Sequence, residues 1–473
     1  MLILHTSDWH LGRSLHRADL TRAFELWSEH VIDLVSRRRI DAVLISGDVY
    51  DRGVPPASAV QLFDRTLAKL AELTTVIVTA GNHDSPLRLG FGSALMRPNI
   101  HIRTDSRLSG MPVEVRGDGG ELGALVYPIP YLDPDVERSR LAPVAPGGQA
   151  SGGDQADQAE GGEVDLLPRS HEAVLKAALD LVGEDIRHGE HAGAEVARIV
   201  MAHAFVTGGE ASPSERDISV GGVDSVPSSL FRLGEEGPGP LAYVALGHLH
   251  SPQRVGRQGD PVMRYSGSPV AFSFSETSAK SSVLLHVEAG KVEVELIEAP
   301  VWRKVRTLEG TLAHLESLAG IGVAHDATGG TVASVADGDV DQAGPGRATS
   351  TPSGDLPGES TVAAGKPVGA AAEPASAIDD DAFVRVILTD AHRPLDMSAR
   401  VRRAFPNVLE IQHRATAEGV SRPQEEIAAM KPKDVLSLFM ESAGNRKLER
   451  AESALLDEVW ERVTAARTAK ARS

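Results

Sequence analysis

Up to residue 300 the chain alternates short, uninterrupted apolar runs with longer stretches of amphipathic helical character, and that alternation predicts an α/β fold. Strands are expected at Leu2–Thr6, Ala42–Ser46, Val76–Ala80, Arg198–Ala202 and Tyr243–Leu246. Each run leads straight into side chains of the kinds that hold cations. The continuations read Ser-Asp-Trp-His (Asp8, His10), Gly-Asp (Asp48), Gly-Asn-His-Asp (Asn82, His83, Asp84), His-Ala (His203) and Gly-His-Leu-His (His248, His250). In open α/β sheets ligands bind beyond the carboxyl ends of the strands, so one sheet presenting these five ends side by side would gather the residues in a single crevice. An isolated Asp after a strand is ordinarily a turn or helix cap, and an isolated His an ordinary hydrogen-bonded side chain. His5, His16, His101 and His286 are read in that way. Independent caps do not explain five repeats of one layout.

Beyond the ligand-bearing strands the pattern changes. Residues 282–300 read as a hairpin turning at Ala289-Gly290 that closes the first domain. A second unit starts near Val301: a strand over 301–310, a strand over 382–390, a helix over 397–406 and a strand over 408–414. Its helix carries Arg400, Arg402 and Arg403, and its first strand Arg303, Lys304 and Arg306; such basic residues hold phosphates or form a solvated face. In the tail, Pro432 is placed to start a helix that stops at Gly444, with Leu436, Phe439 and Met440 on one side. A second helix carries an apolar stripe of Leu448, Leu455, Leu456, Val459, Trp460 and Val463. Two short helices with this much exposed apolar surface make a poor core by themselves.

Composition narrows the chemistry. At 473 residues, 41% hydrophobic and 24% charged, the chain is long enough for several globular domains, and no run approaches the ~18 apolar residues of a membrane span. The N-terminus reads as a first strand rather than a secretory signal. With no cysteine, disulfides are excluded, a cytoplasmic location is expected, and any metal must be held by oxygen and imidazole nitrogen. The net charge of −18 argues at first against nucleic acid. Two Gly/Ala/Ser/Pro-rich stretches without aromatics, about 145–165 and 320–381, contribute −5 and −8 of it, leaving −5 for the remainder. Both are expected to be disordered inserts.

Imidazoles, carboxylates and one amide oxygen suit Mn²⁺, Fe²⁺ or Zn²⁺. Asp8, His10, Asp48, Asn82, His203, His248 and His250 are too many for one ordinary ion. They divide into two four-ligand sets if one carboxylate bridges, and two ions ~3.5–4 Å apart clamp both oxygens of a phosphoryl displacement. Asp48, between the other loops in chain order, is the candidate bridge.

The succession Asp-x-His, Gly-Asp, Gly-Asn-His-Asp, His and Gly-His-x-His resembles the calcineurin-like metallophosphoesterase superfamily over roughly residues 1–270. The stretches "ILHTSDWHLGR" at 3–13, "SGDVYDRGVPP" at 46–56, "GNHDS" at 81–85 and "YSGSPVAFSFSE" at 265–276 resemble more closely its branch of bacterial nuclease subunits, which work with a coiled-coil ATPase. The resemblance implies a sandwich of two mixed sheets flanked by helices over 1–300, a small α+β capping domain over 301–415 and a helical partner-binding module over 422–473. It puts Asp8, His10, Asp48 and His250 on one ion and Asp48, Asn82, His203 and His248 on the other, most readily Mn²⁺. It makes His83 a catalytic residue at the scissile phosphate rather than a ligand. Asp51 stands where some members carry a second histidine, and with Arg52 reads as a local ion pair. The implied activity is 3′–5′ double-strand exonuclease and single-strand endonuclease in DNA repair, recombination and replication. The implied assembly is a homodimer within a heterotetramer, with Leu436, Phe439, Leu455, Leu456, Val459 and Trp460 on the ATPase and Arg400, Arg402 and Arg403 near DNA. A stand-alone phosphatase or nucleotidase is the alternative, since "GDVYDRG" also fits the Ser/Thr phosphatase motif; a non-catalytic scaffold would not need the full ligand set.

Overall fold

The computed structural model describes residues 1–143, 166–216, 218, 225–233, 240–320, 381–415, 430, 432–444 and 448–470. Both low-complexity stretches, apart from Gly320 and Asp381, lie outside the described residues, as does the side chain of Val463. The chain divides into two compact units, Met1–Thr307 with Asp381–Arg385, and Leu308–Asp380 with Val386–Ser473.

In the first unit β1 (Leu2–Thr6), β2 (Ala42–Ser46), β3 (Thr75–Thr79) and β4 (Ile100–Arg103) run parallel, with α1 (Thr21–Arg38) after β1 and α2 (Ala57–Leu70) after β2. A second sheet holds β5 (Val113–Arg116), β6 (Leu122–Pro128), β7 (Ala197–His203), β8 (Tyr243–Gly247), β9 (Gln253–Val255) and β10 (Val262–Tyr265), with α3 (His171–His188) before β7. The chain then returns to the first sheet as the hairpin β11 (Ser281–Glu288) and β12 (Lys291–Glu298). Ala289 and Gly290 both take positive φ, 48° and 75°, as the tight turn requires. The strand orders are β12–β11–β1–β2–β3–β4 and β9–β10–β8–β7–β6–β5. Antiparallel strands are found at the edges and in the β1–β11 pair, and the central strands are parallel.

The apolar runs follow from the layering. Successive strand residues face opposite sides, so Ile3, Ala42, Leu44 and Ile77 meet Val126, Ile199, Met201 and Ala245 between the sheets. The alternate residues Val43, Ile45 and Val78 face the side where α1 and α2 bury Phe24, Trp27, Val31 and Phe63. On the outer face of the second sheet, Tyr127, Val200 and Val244 pack on Val174, Ala178 and Val182 of α3. With both faces covered, each fully buried Leu, Ile or Val contributes on the order of 1.5–3 kcal/mol.

The sandwich corrects one expectation. The five ligand-bearing strands do not share a sheet: β1, β2 and β3 stand in the first, β7 and β8 in the second. Their carboxyl ends meet across the gap at one end of the sandwich.

Beyond the hairpin, β13 (Val305–Gly310), β14 (Phe383–Leu388) and β15 (Val408–His413) form a sheet with β14 in the middle, and α4 (Leu312–Leu318) and α5 (Met397–Ala404) belong to the second unit. The tail forms α6 (Pro432–Gly444) and α7 (Arg450–Lys470), which pack on each other. Leu448 precedes α7 instead of opening its stripe.

Candidate metal centre

The loop after β1 and the loop after β2 run side by side. Asp8 N donates to Gly47 O at 3.1 Å, His10 N to Asp48 O at 3.0 Å and Leu11 N to Val49 O at 2.9 Å. That pairing carries Asp8, His10 and Asp48 past the strand ends in step. The loop after β3 is tied in by Asp84, whose carboxylate accepts from Val49 N (3.1 Å), Tyr50 N (2.9 Å) and Gly81 N (2.9 Å). Gly81 has to be glycine: a Cβ there would run into the Asp48 carboxylate. The second sheet closes on the first through His203 Nδ1, which donates to Ser46 O at 3.0 Å, and His248 N, which donates to both oxygens of Asp8 at 3.0 and 3.1 Å.

All seven ligand candidates converge there, and six are essentially shielded from solvent. His10 Nε2 and His250 Nε2 face each other at 3.0 Å. Asp48 Oδ2 stands 3.5 Å from His10 Nε2 and 3.5 Å from His203 Nε2. Asn82 Oδ1 lies 2.9 Å from His203 Nε2 and 3.3 Å from His248 Nδ1. Asp8, His10 and His250 offer ligand atoms within 4.8 Å of one another, and so do Asp8, Asp48 and His203. His83 lies alongside, its ring 4.7 Å from that of His10, its backbone N–H on Asp48 Oδ1 at 2.8 Å and its Nδ1 on Asp51 O at 2.7 Å.

Comparison with known proteins agrees with this geometry. The calcineurin-like phosphoesterase family model matches residues 1–252, and the model described as type 5 capsule protein repressor C-terminal domain (SbcD_C) matches 368–443. The chain belongs to the calcineurin-like phosphoesterase family. It is 34% identical over 317 residues to the D subunit of the nuclease SbcCD from Bacillus subtilis, covering 66% of this chain and 70% of that protein. To its counterpart in Escherichia coli K12 it is 28% identical over 319 residues, 67% and 72% of the two chains. This calcineurin-like phosphoesterase is therefore of the SbcD type, a metal-dependent phosphodiesterase by family. No helix among the described residues is long and apolar enough to cross a membrane.

The donor set of this phosphoesterase fits divalent cations. Two imidazole nitrogens aimed at each other inside the protein need a cation or a shared proton between them, and His10 Nδ1 and Asn82 Nδ2 are buried with no hydrogen-bond partner. Burial opposes the charge on Asp48, yet His203, His10 and His83 outweigh it and hold the carboxyl well below its usual range. Burial pushes Asp8 up to about 6 against the pull of His203 and His250, and pushes His248 down to about 3. Burial likewise keeps His10 far down, in the neutral form that ligates. At His203 burial acts downward, but Asp48 beside it lifts the ring to about 9. A cation in the cluster would take the place of that proton.

Several residues that were not named as ligands or catalytic groups also build the site. Phe272 lies against the rings of His10 and His250, at 5.3 and 5.4 Å, with the Arg13 guanidinium 4.7 Å from its centroid. Ser214, Glu215, Glu276 and Lys280 surround His250. Asp51 pairs with Arg52 at 3.5 Å and also stands 3.7 Å from Arg13 Nε. Among the isolated histidines, His5 is buried on the Tyr243 hydroxyl at 3.1 Å, and His286 pairs with Glu295 at 2.7 Å. In the second unit Arg400 is engaged by Glu316 of α4, while Arg402 and Arg403 are exposed.

Proposed function

We propose that this chain is the nuclease subunit of an ATP-dependent SbcCD-type complex: a two-metal phosphodiesterase acting on DNA ends and single strands in repair, recombination and replication. The observation that carries the reading is the position of Asp48 Oδ2, 3.5 Å from an imidazole nitrogen on either side. In this reading Asp8, His10, Asp48 and His250 hold one ion and Asp48, Asn82, His203 and His248 the other. Manganese suits a set of carboxylates, imidazoles and an amide oxygen without thiolate, and Mg²⁺, Fe²⁺ or Zn²⁺ use subsets of the same donors. When bound, the pair of ions polarises the phosphate and supplies the nucleophile. His83 acts from the chain itself. With Nδ1–H fixed on the Asp51 carbonyl, the ring in its doubly protonated form would deliver its Nε2 proton to the leaving oxygen and become the neutral Nδ1–H imidazole.

Exposed apolar surfaces support the assembly reading. On α7, Leu455 and Val459 are 61% and 46% exposed with Leu456 and Trp460 half-buried beside them; on α6, Phe439 is 66% exposed and Leu436 37%. We assign this paired face, over 422–473, to the coiled coil of an SbcC-like ATPase, because the SbcD-type relatives are named as subunits of a complex. Residues 301–415 are the capping domain, with Arg402 and Arg403 available to DNA phosphates and Arg400 held on Glu316. Leu87, Phe91 and Leu95, directly after the His83 loop, are 85–89% exposed, an apolar patch in keeping with the homodimer reading, for which light scattering should give twice 50.0 kDa.

A stand-alone phosphatase would act on small monoesters. The test is metal-stripped protein, reloaded with Mn²⁺, given end-labelled single-stranded DNA and p-nitrophenyl phosphate. Cleavage of internal diester bonds is expected, and hydrolysis of the monoester alone would overturn the nuclease reading.

A further inference from the structure

Every polar atom of His250 except one is already held. Its backbone N–H donates to Glu215 Oε1 at 2.7 Å. Its carbonyl accepts from Lys280 Nζ at 2.9 Å and from Ser268 N at 3.0 Å. Its Nδ1 meets Ser214 Oγ at 2.6 Å. Ser214 Oγ in turn lies 2.5 Å from Glu276 Oε1, and the other oxygen of Glu276 is paired with Lys280 Nζ, which also donates to Ser268 Oγ at 3.0 Å. Ser214, Glu276 and Lys280 are all buried, at 7%, 3% and 6% exposure, so water does not substitute for any of these partners.

The direction of the protons follows. A carboxylate facing an ammonium group is ionised and only accepts, so the Ser214 hydroxyl hydrogen points to Glu276. The Ser214 oxygen, which also meets Ser212 Oγ at 2.7 Å, is then left to accept, and what it accepts from the histidine is the proton on Nδ1. This leaves Nε2 as the bare lone pair, aimed at His10 Nε2 3.0 Å away. His203 reaches the same tautomer through Ser46 O, a backbone acceptor that no side-chain substitution removes. His250 depends on side chains from two segments remote in sequence.

We infer that Ser214 and Glu276 are positioning residues for the metal centre, a hydroxyl-relayed carboxylate that fixes the tautomer and ring orientation of His250. The inference rests on the reading of His250 as a ligand. Outer partners of ligating histidines orient the ring and raise its basicity, and their loss typically costs 10–100-fold in metal affinity.

The test is titration of metal-free full-length protein with Mn²⁺ by calorimetry, with the exchange-coupled spin-resonance signal of a two-ion centre as the second readout. Ser214→Ala is expected to weaken one site by about 10–100-fold, leave the other within about twofold, and lose the coupled signal at two equivalents. Thr and Val have nearly the same volume and differ by the hydroxyl, so Ser214→Thr should recover affinity and Ser214→Val should not. Wild-type affinity at both sites in S214A, or equal behaviour of S214T and S214V, overturns the proposal. So does a fall in the melting temperature of the metal-free protein with an unchanged metal-induced increment, which is the mark of a merely structural hydroxyl. His250→Ala is the control for the underlying reading: if H250A binds two ions as wild type does, the ligand assignment itself fails, whatever S214A shows.

Discussion

Asp8, His10, Asp48 and His248 all hold left-handed backbone, with φ of 55°, 45°, 50° and 109°. Such conformations cost on the order of 1–3 kcal/mol each and persist only where surrounding bonds over-determine them. Here those bonds are Asp8 N to Gly47 O, His10 N to Asp48 O and His248 N to the Asp8 carboxylate. The strain turns the ligand side chains into the gap, where a cation offsets the crowding of carboxylates and imidazoles. His83 also offers a ring atom within 4.8 Å of ligand atoms of His10 and Asp48, but its Nδ1 is already engaged by Asp51 O. His83→Ala should lose ~10²–10⁴-fold in DNA cleavage with unchanged Mn²⁺ content, the loss expected for a general acid. Metal loss in H83A, measured by plasma mass spectrometry, would make His83 a ligand instead. At this scale the site was legible where each residue directly follows an apolar run, as from Asp8 to His250. Ser214, Glu215 and Lys280 were not, because a lone serine, glutamate or lysine in a polar stretch carries no pattern; Glu276 closes the stretch 265–276 that carried the resemblance, but only the fold brings 214 within 2.5 Å of it.

Among elements, the loops after β2 and β3 are held together by one side chain. Asp84 is buried, its pKa raised to about 7 by burial and then by Asp48, and it serves three backbone N–H groups. Asp84→Ala would leave those donors unpaired, at ~1–3 kcal/mol for each buried group left unsatisfied. The metal-free protein should therefore melt several degrees lower in calorimetry, and an unchanged melting temperature would refute the cross-link. Strand positions in the sandwich were legible to within a residue or so: β3 covers Thr75–Thr79 against the expected Val76–Ala80, and β7 runs on to His203; the strand expected over 301–310 starts only at Val305, so Arg303 and Lys304 precede it. Their division between two sheets was not. Strands covered on both faces read as continuous apolar runs, and such runs do not reveal which neighbour they pair with. The tail makes a separate prediction. Leu455 is solvent-exposed in the free chain, so Leu455→Asp should leave nuclease turnover intact but sharply weaken co-purification with the ATPase, where an unpaired carboxylate would be buried. Aggregation of L455D would place α7 in the protein's own core.

For the molecule as a whole, the sandwich geometry matters because it lets two sheets contribute to one cluster. The first supplies Asp8, His10, Asp48 and Asn82, and the second His203, His248 and His250. Asp48 follows β2, which lies between β1 and β3, and its Oδ2 stands 3.5 Å from an imidazole nitrogen of each sheet's ligands, His10 and His203. If it bridges, its loss must damage both ion sites, whereas loss of a terminal ligand damages one. The measurement is the number of Mn²⁺ ions retained by metal-reloaded, gel-filtered protein. About two are expected for wild type, about one for H250A and close to none for Asp48→Asn, with DNA cleavage lost in step. Two ions retained by D48N at wild-type affinity would contradict it.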